Sequence, residues 1–132
     1  MAPTSLDPYL YTRCEREHER LVSLASRWSM LEDAELMRAI HRRHLSQVIL
    51  SIENVCATRA ISSIERSERV RDMIEAPSTR ETISALQADR GRFGFMFSPI
   101  AKGNVAACCF GARLNRFARG SHLPFISAGS AA

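Results

Sequence analysis

The chain has 132 residues, of which 45% are hydrophobic and 24% charged, and its formal net charge is +4. This composition excludes a disordered chain and fits one globular domain. No apolar run approaches the roughly 18 residues of a membrane span, and Met1–Leu10 lacks the basic flank and apolar core of a secretory signal. We therefore expect a cytoplasmic protein.

Apolar spacing in the first half of the chain predicts two helices. Residues 9–76 contain neither glycine nor proline, the residues most unfavourable inside a helix. The first helix is expected from about Arg13 to Trp28, and the second from near Met30 to about Cys56. A helix as long as the second needs a partner along its length, either a neighbouring helix or a second subunit, and the second subunit is preferred. We therefore expect an intertwined homodimer with Leu45, Val48, Ile49, Ile52 and Cys56 at its interface.

Capping boxes, in which a Ser or Thr precedes a Glu by three residues, mark four predicted helix starts. They begin at Thr12, Ser29, Ser62 and Ser78. The first helix is expected to bury one apolar stripe, made of Leu21, Leu24, Ala25, Trp28 and Leu31.

The next two predicted helices are separated by a proline. The third helix is expected over Ser63–Glu75, and the fourth runs from Ser78 to Asp89 after the stop at Pro77. Together they have the length of a helix-turn-helix, in which Arg80 would meet base edges. A structural helical hairpin is the alternative, because the usual turn glycine is absent.

The last part of the chain combines an aromatic segment with a final helix. Phenylalanines alternate at positions 93, 95 and 97, which predicts one short strand near 92–97, packed in the core or stacked on bases. Asn104 is expected to cap a helix that reaches Arg119 and ends at Gly120. The predicted organisation is a single helical domain over 1–120 and a flexible tail over 121–132.

The basic excess of the protein lies entirely in this last part. No acid occurs after Asp89, whereas six basic residues do: Arg90, Arg92, Lys102, Arg113, Arg116 and Arg119. Such a basic surface could bind the phosphates of a nucleic acid. The alternative is a charged face that is only solvated and keeps the protein soluble. Seventeen of the 18 basic residues are arginine. That bias suits bidentate phosphate or carboxylate contacts, and a GC-rich genome also produces it.

Cysteine and histidine spacing predicts neither a metal site nor a catalytic residue. The four cysteines show no zinc spacing, so we expect reduced thiols, with an intermolecular disulfide as the alternative. His41 and His44 are three residues apart, but no Cys or Asp lies at ligand spacing and two arginines adjoin them. Cys14 and His18 lack an orienting third group and an oxyanion hole. No cofactor is predicted.

Motifs in the middle of the chain carry a family resemblance. Leu45-Ser46 and Ile49-Leu50 lie in the long helix, Arg59-Ala60 follows it, and Thr82–Leu86 leads into the aromatic segment. In this order and spacing, residues 45–97 resemble FlhD, the helical subunit of the bacterial flagellar master regulator. The chain departs from the family at Ala88-Asp89-Arg90, where the family has Thr-Asn-Gln.

The resemblance implies a helical homodimer that joins a zinc-bearing partner subunit, FlhC, and activates transcription on promoter DNA. We therefore expect an all-α, non-enzymatic transcriptional regulator. Its candidate DNA-binding residues are Arg80, Arg90, Arg92, Arg113 and Arg116. The alternative is a helical adaptor, secretion chaperone or effector that binds an acidic protein partner.

Overall fold

The computed structural model describes residue 7 and residues 9–120, except for the side chains of residues 116 and 118–120. Its elements are α1 (Leu10–Arg27), α2 (Ala34–Ala57), α3 (Ser63–Glu75), α4 (Pro77–Ala85), a 3₁₀ segment (Gln87–Met96), α5 (Phe97–Lys102) and α6 (Val105–Gly120). Within these residues the fold is all-α, as predicted. The predicted tail over 121–132 lies outside the described residues.

None of the described helices is both long enough and apolar enough to cross a membrane.

The long helix α2 forms the centre of the fold, in contact with α1, α3, α4 and α6. The side chains of Leu45, Val48 and Ile52 are fully buried, and those of Ile49 and Cys56 are nearly so. Surrounding helices supply the facing core residues, among them Val70, Ile74, Leu86, Ile100 and Cys108. One chain therefore covers the face that the sequence assigned to a homodimer interface. In this fold these five α2 residues are not available to a second copy.

Helix starts follow the predicted capping boxes at only one of four positions. Ser62 caps α3, and its Oγ accepts a hydrogen bond from the Glu65 N–H at 3.1 Å. Pro77 occupies the first position of α4, where its fixed φ and missing N–H fit, so Ser78 lies inside the helix. Thr12 likewise lies inside α1, which begins at Leu10.

The start of α2 is set by an aspartate instead of the predicted serine. Asp33 Oδ1 accepts a hydrogen bond from the Leu36 N–H at 3.0 Å. Ser29 has φ 56°, a left-handed conformation that turns the chain between α1 and α2. By contrast, the predicted cap of α6 is confirmed, because Asn104 Oδ1 accepts from the Ala107 N–H at 3.0 Å.

The strand predicted over 92–97 is wrong, because these residues form the end of the 3₁₀ segment and the first residue of α5. Gly94 has φ 61° and ψ −142°, a conformation that side-chain-bearing residues rarely adopt and that breaks the alternation. Phe93 and Phe97 pack with ring centroids 6.3 Å apart, while Phe95 is partly exposed. The alternating pattern therefore reflects a compact turn and not a pleated strand.

The apolar stripe predicted on α1 is buried only in part. Ala25 is buried, but Leu24, Leu31 and especially Trp28, at 72%, are exposed. Besides Ala25, the buried residues of α1 are Cys14 and His18, in the N-terminal half of the helix. The large apolar side chains near the end of α1 are thus left at the surface.

Candidate functional site

Arg80, a candidate DNA-binding residue, is used inside the protein. Its Nη1 donates to the Ala101 carbonyl at 3.0 Å and its Nη2 to the Ile100 carbonyl at 2.6 Å. Both carbonyls lie at the C-terminal end of α5, where the Ile100 carbonyl also accepts from the Gly103 N–H at 3.1 Å. Arg80 therefore joins α4 to α5, and its guanidinium does not face solvent as a base-reading side chain must.

Three other predicted arginines are exposed to solvent. Arg90 and Arg92 lie in the 3₁₀ segment and Arg113 lies on α6. None of the three has an acidic partner within ion-pair distance among the described residues. The 3₁₀ segment packs on α6, so the two elements that carry these arginines are neighbours in the fold. The side chain of Arg116 lies outside the described part of the structure.

Helix α6 presents apolar side chains on both of its faces. On the inner face Cys108 and Ala112 are buried in the core. On the outer face Phe110 is 65% exposed, Leu114 38% and Phe117 67%. At about 100° per residue, the three outer side chains lie within about 60° of one another on the helix. We call Phe110, Leu114 and Phe117 the outer stripe.

A glycine on α6 brings the 3₁₀ segment against the edge of the outer stripe. A Cβ at Gly111 would lie 2.8 Å from Met96 Sδ and 3.3 Å from the Phe95 ring. The absence of a side chain there lets Phe95 lie directly on the helix backbone at Gly111, the residue that follows Phe110. Phe95 remains 38% exposed and extends the apolar surface of α6.

A second group of exposed apolar side chains lies where α1 ends and turns toward α2. It consists of Leu24, Trp28, Met30 and Leu31. The flanking sequence contains Arg27, Glu32 and Asp33, so both charge signs surround it. By contrast, the charged residues within α6 itself, Arg113, Arg116 and Arg119, are all basic.

Between α1, α2 and α4 lies a hydrogen-bonded polar cluster made of Glu15, His41, His44, Ser78 and Thr82. Thr82 Oγ1 lies 2.9 Å from His41 Nδ1 and 2.8 Å from His44 Nδ1. His44 Nε2 lies 2.8 Å from Glu15 Oε1, and the Ser78 hydroxyl donates to the other oxygen of Glu15. The polar cluster thus connects three helices through side chains alone.

Donor and acceptor counting fixes the protons of the cluster when its histidines are neutral. The Glu15 carboxylate accepts only, so His44 Nε2 carries a proton and donates to it. His44 Nδ1 then accepts from the Thr82 hydroxyl, whose oxygen accepts in turn from His41 Nδ1–H. Burial works to raise the pKa of Glu15, but hydrogen bonds from His44 and Ser78 outweigh it and hold that pKa below its usual range.

The order Thr82, His44, Glu15 repeats the hydroxyl–imidazole–carboxylate order of a nucleophilic triad. However, Thr82 is fully buried, and its hydroxyl is shared between two imidazoles. A substrate carbonyl cannot reach this oxygen without opening the fold. The arrangement therefore serves packing and orientation rather than attack on a substrate.

His18 lies against the cluster without taking part in its hydrogen bonds. Its ring stacks on His44 with centroids 3.9 Å apart and an interplanar angle of 18°. The side chain is buried, and Nδ1 finds no hydrogen-bond partner among the described residues. Burial, followed by the proximity of His44 and His41, lowers the pKa of His18 to about 4. Burial likewise lowers the pKa of His41.

Next to the cluster, Cys14, Glu15 and His44 bring a sulfur, an oxygen and a nitrogen within 4.8 Å of one another. The sequence analysis did not predict this set, because its members come from two helices. It considered His44 only together with His41. The available signal was that Cys14 and His18 share one face of the first predicted helix, as His41 and His44 do on the second.

Comparison with known protein families, curated proteins and solved structures finds no match for this chain. The resemblance of residues 45–97 to FlhD therefore stays a prediction.

Proposed function

We propose that the protein is a non-enzymatic helical adaptor that inserts the outer face of α6 into an apolar groove of an acidic protein partner. The observation that carries this proposal is the outer stripe, three large apolar side chains held in solvent on one helix face. Their spacing of i, i+4 and i+7 is the pattern with which a helix anchors in a groove.

The free energy gained by burying apolar side chains favours a partner that covers the outer stripe. Full burial of a leucine or phenylalanine side chain contributes about 1.5–3 kcal/mol. Contiguous exposed apolar surface is uncommon on monomeric proteins and marks sites of interaction. Phe95, lying on Gly111 beside the outer stripe, widens the apolar area that a partner would cover.

Charge around the outer stripe indicates what kind of protein binds there. Arg113 lies beside the stripe, Arg90 and Arg92 lie on the adjacent 3₁₀ segment, and the sequence contains no acid after Asp89. An acidic rim around the partner's groove would complement this surface, speed encounter and disfavour basic proteins. The mixed charges near Trp28 give the other exposed apolar group no such preference.

Site-specific photo-crosslinking in the native cell tests the proposal. A photo-reactive phenylalanine analogue placed at Phe117 should capture one acidic protein, whereas the same analogue at Trp28 serves as the matched control. The captured protein is then purified and titrated calorimetrically with the wild-type chain and with Phe110→Ser. We expect at least tenfold weaker binding for the variant, because it removes an anchor that the partner would bury fully.

Equal crosslinking from positions 117 and 28 would contradict the proposal, as would unchanged affinity in Phe110→Ser. Capture of a second copy of this chain would instead identify the outer stripe as a homodimer contact. Circular dichroism spectra of the variants check that the exposed substitutions leave the helices intact.

A second candidate function is DNA binding as a regulator subunit of the FlhD type. It is favoured by the exposure of Arg90, Arg92 and Arg113, with no acid within ion-pair distance among the described residues. Removal of one side chain that neutralises a phosphate should reduce the salt slope of binding by about one. We expect the charge reversals Arg113→Glu and Arg116→Glu to weaken retention of duplex DNA and to flatten its salt dependence.

Fluorescence anisotropy with a labelled duplex at several salt concentrations measures this effect. Arg27→Glu on α1 is the charge-matched control and should leave the slope unchanged. Absence of salt-dependent retention by the wild-type protein would rule out the DNA-binding candidate and leave the adaptor proposal standing.

A further inference from the structure

We propose that Cys14, Glu15 and His44 form a binding site for one divalent transition-metal ion, with Zn²⁺ as the best-fitting ion. The three residues offer a thiolate sulfur, a carboxylate oxygen and an imidazole nitrogen. This mixed set suits the borderline-soft Zn²⁺ and does not suit Mg²⁺ or Ca²⁺, which prefer oxygen ligands.

The geometry of the three donors is close to that of a coordinated set. Their ligand atoms lie within 4.8 Å of one another, and His44 Nε2 is 2.8 Å from Glu15 Oε1. Around a tetrahedral Zn²⁺ with bonds of about 2.0–2.3 Å, ligand atoms lie roughly 3.3–3.7 Å apart. The proposal therefore requires only that the three side chains adjust from these separations to those of a tetrahedral ion.

His18 is the independent observation that points to a ligand. The side chain is only 8% exposed, and its Nδ1 has no hydrogen-bond partner among the described residues. It follows Cys14 by one helical turn, and its ring lies against His44. A buried imidazole nitrogen without a partner costs free energy, and metal coordination would satisfy it. His18 is thus the candidate fourth ligand, and its ring would have to turn from the stacked position, because it lies outside the three donors that meet within 4.8 Å.

The proposed ligands already have the supporting hydrogen bonds that metal sites require. His44 is held through Nδ1 by Thr82, and Glu15 is held by the Ser78 hydroxyl. Such partners orient ligands in metalloproteins, and their removal typically weakens metal binding 10–100-fold.

Each proton that moves when the ion binds can be accounted for. The Cys14 thiol gives up its proton to solvent, and the His44 proton moves from Nε2 to Nδ1, so the ring stays neutral. Nδ1–H then donates to Thr82, and the Thr82 hydroxyl donates to His41 Nδ1, with the His41 proton carried on Nε2. The Thr82 oxygen keeps both of its hydrogen bonds, and one proton is released per ion.

A groove beside the polar cluster provides the entry path. It has a volume of about 600 Å³ and is lined by Glu15, His18, Glu19, Ser78 and Glu81, among others. Its three carboxylates raise the local concentration of cations. The groove reaches the site at Glu15 and His18, so an ion need not cross the apolar core.

Cobalt substitution tests the proposal, because Co²⁺ reports thiolate ligation by its colour. The purified full-length chain is treated with a chelator and a reductant, and Co²⁺ is added while the visible and near-ultraviolet spectrum is recorded. We expect one Co²⁺ per chain, a thiolate-to-cobalt charge-transfer band, and disappearance of both signals when Zn²⁺ is added.

Two variants assign the band to this site. Cys14→Ser should abolish the charge-transfer band and weaken Co²⁺ binding at least tenfold, whereas Cys108→Ser, which changes a buried thiol elsewhere, should leave both unchanged. A wild-type chain without the band overturns the proposal even if a variant fails to fold. Persistence of the band in Cys14→Ser also overturns it, as does its disappearance in a folded Cys108→Ser.

Discussion

At the scale of single residues, burial separates side chains that look alike in the sequence. Arg80 and Arg90 are both predicted DNA contacts, but the first satisfies two carbonyls at the end of α5 and the second is exposed. Cys108 and Cys109 are adjacent, yet the first is buried in the core and the second is only half-buried. The direction in which each side chain leaves its helix therefore decides what it does.

Replacement of Arg80 should lower the stability of the fold and should not act through DNA binding. Arg80→Met removes the side-chain donors to the Ile100 and Ala101 carbonyls, although the Ile100 carbonyl keeps its bond from the Gly103 N–H. We expect the free energy of unfolding to fall by about 2 kcal/mol. Urea denaturation followed by circular dichroism measures the change. Arg90→Met is the control and should stay within about 0.5 kcal/mol of wild type. An equal effect of the two substitutions would show that the α5 carbonyls do not depend on Arg80.

Cys109 should be the most reactive of the four thiols. A hydrogen bond from Cys56 lowers the pKa of Cys109 to about 7, and burial opposes this while Arg113 and Arg66 support it. The same hydrogen bond raises the pKa of Cys56, and burial raises the pKa of Cys108 to about 12. Because the thiolate is the nucleophile, alkylation of Cys109 should accelerate as the pH rises from about 6 to 8.

Peptide mass spectrometry after brief iodoacetamide treatment at each pH locates the label. Cys108→Ser should leave the labelled fraction unchanged, and Cys109→Ser should remove most of it. Preferential labelling of Cys14, whose pKa burial raises to about 12, would contradict this order of reactivity.

At the scale of elements, helix boundaries follow whichever local group satisfies the free backbone donors best. Ser62 caps α3 as predicted, whereas Asp33 caps α2 in place of Ser29, and Pro77 opens α4 ahead of Ser78. Aspartate is as good a cap as serine, and proline at the first position fits without a side-chain bond. The capping-box pattern alone does not show which of several nearby Ser, Asp or Pro residues will begin the helix.

The two serines at the start of α3 provide a matched test of capping. Ser62→Ala removes the acceptor of the Glu65 N–H and should lower the free energy of unfolding by about 1 kcal/mol. Ser63→Ala changes an exposed residue within the helix and should be neutral or slightly stabilising. Thermal and urea denaturation of both variants measures the difference. A larger destabilisation by Ser63→Ala would place the start of α3 one residue later.

At the scale of the whole molecule, the central helix α2 is covered from within one chain. Helices α1, α3, α4 and α6 pack around it and bury Leu45, Val48 and Ile52 completely. Groups of exposed apolar side chains lie instead on α6 and at the end of α1, while Leu50 on α2 and Ile64 on α3 are exposed singly. The larger groups of apolar side chains left at the surface therefore lie on peripheral helices.

Stability measurements at two protein concentrations test this organisation. Ile52→Ala removes a fully buried side chain and should cost about 2–5 kcal/mol, whereas Leu50→Ala, on the exposed side of α2, should cost little. Because one chain forms this core, the urea midpoint of wild type should not shift when the protein is diluted. A midpoint that rises with protein concentration would instead indicate an obligate dimer core.

The sequence by itself determined the helical class, the range of α3, the Asn104 cap of α6 and the division between an acidic-and-basic body and an acid-free end. These properties depend on neighbours within a few residues: the absence of glycine and proline, the spacing of apolar side chains and the reach of a capping group. Such local terms are present in the chain before it folds.

Only the tertiary structure decided which apolar faces are covered and which polar residues meet. It placed the Leu45 face of α2 in the core of one chain, left Phe110 and Phe117 in solvent, and assembled Cys14, Glu15 and His44 from two helices. Periodicity shows that a helix has an apolar face but not what packs against it. The partner of each face depends on contacts between residues far apart in sequence, which no local pattern encodes.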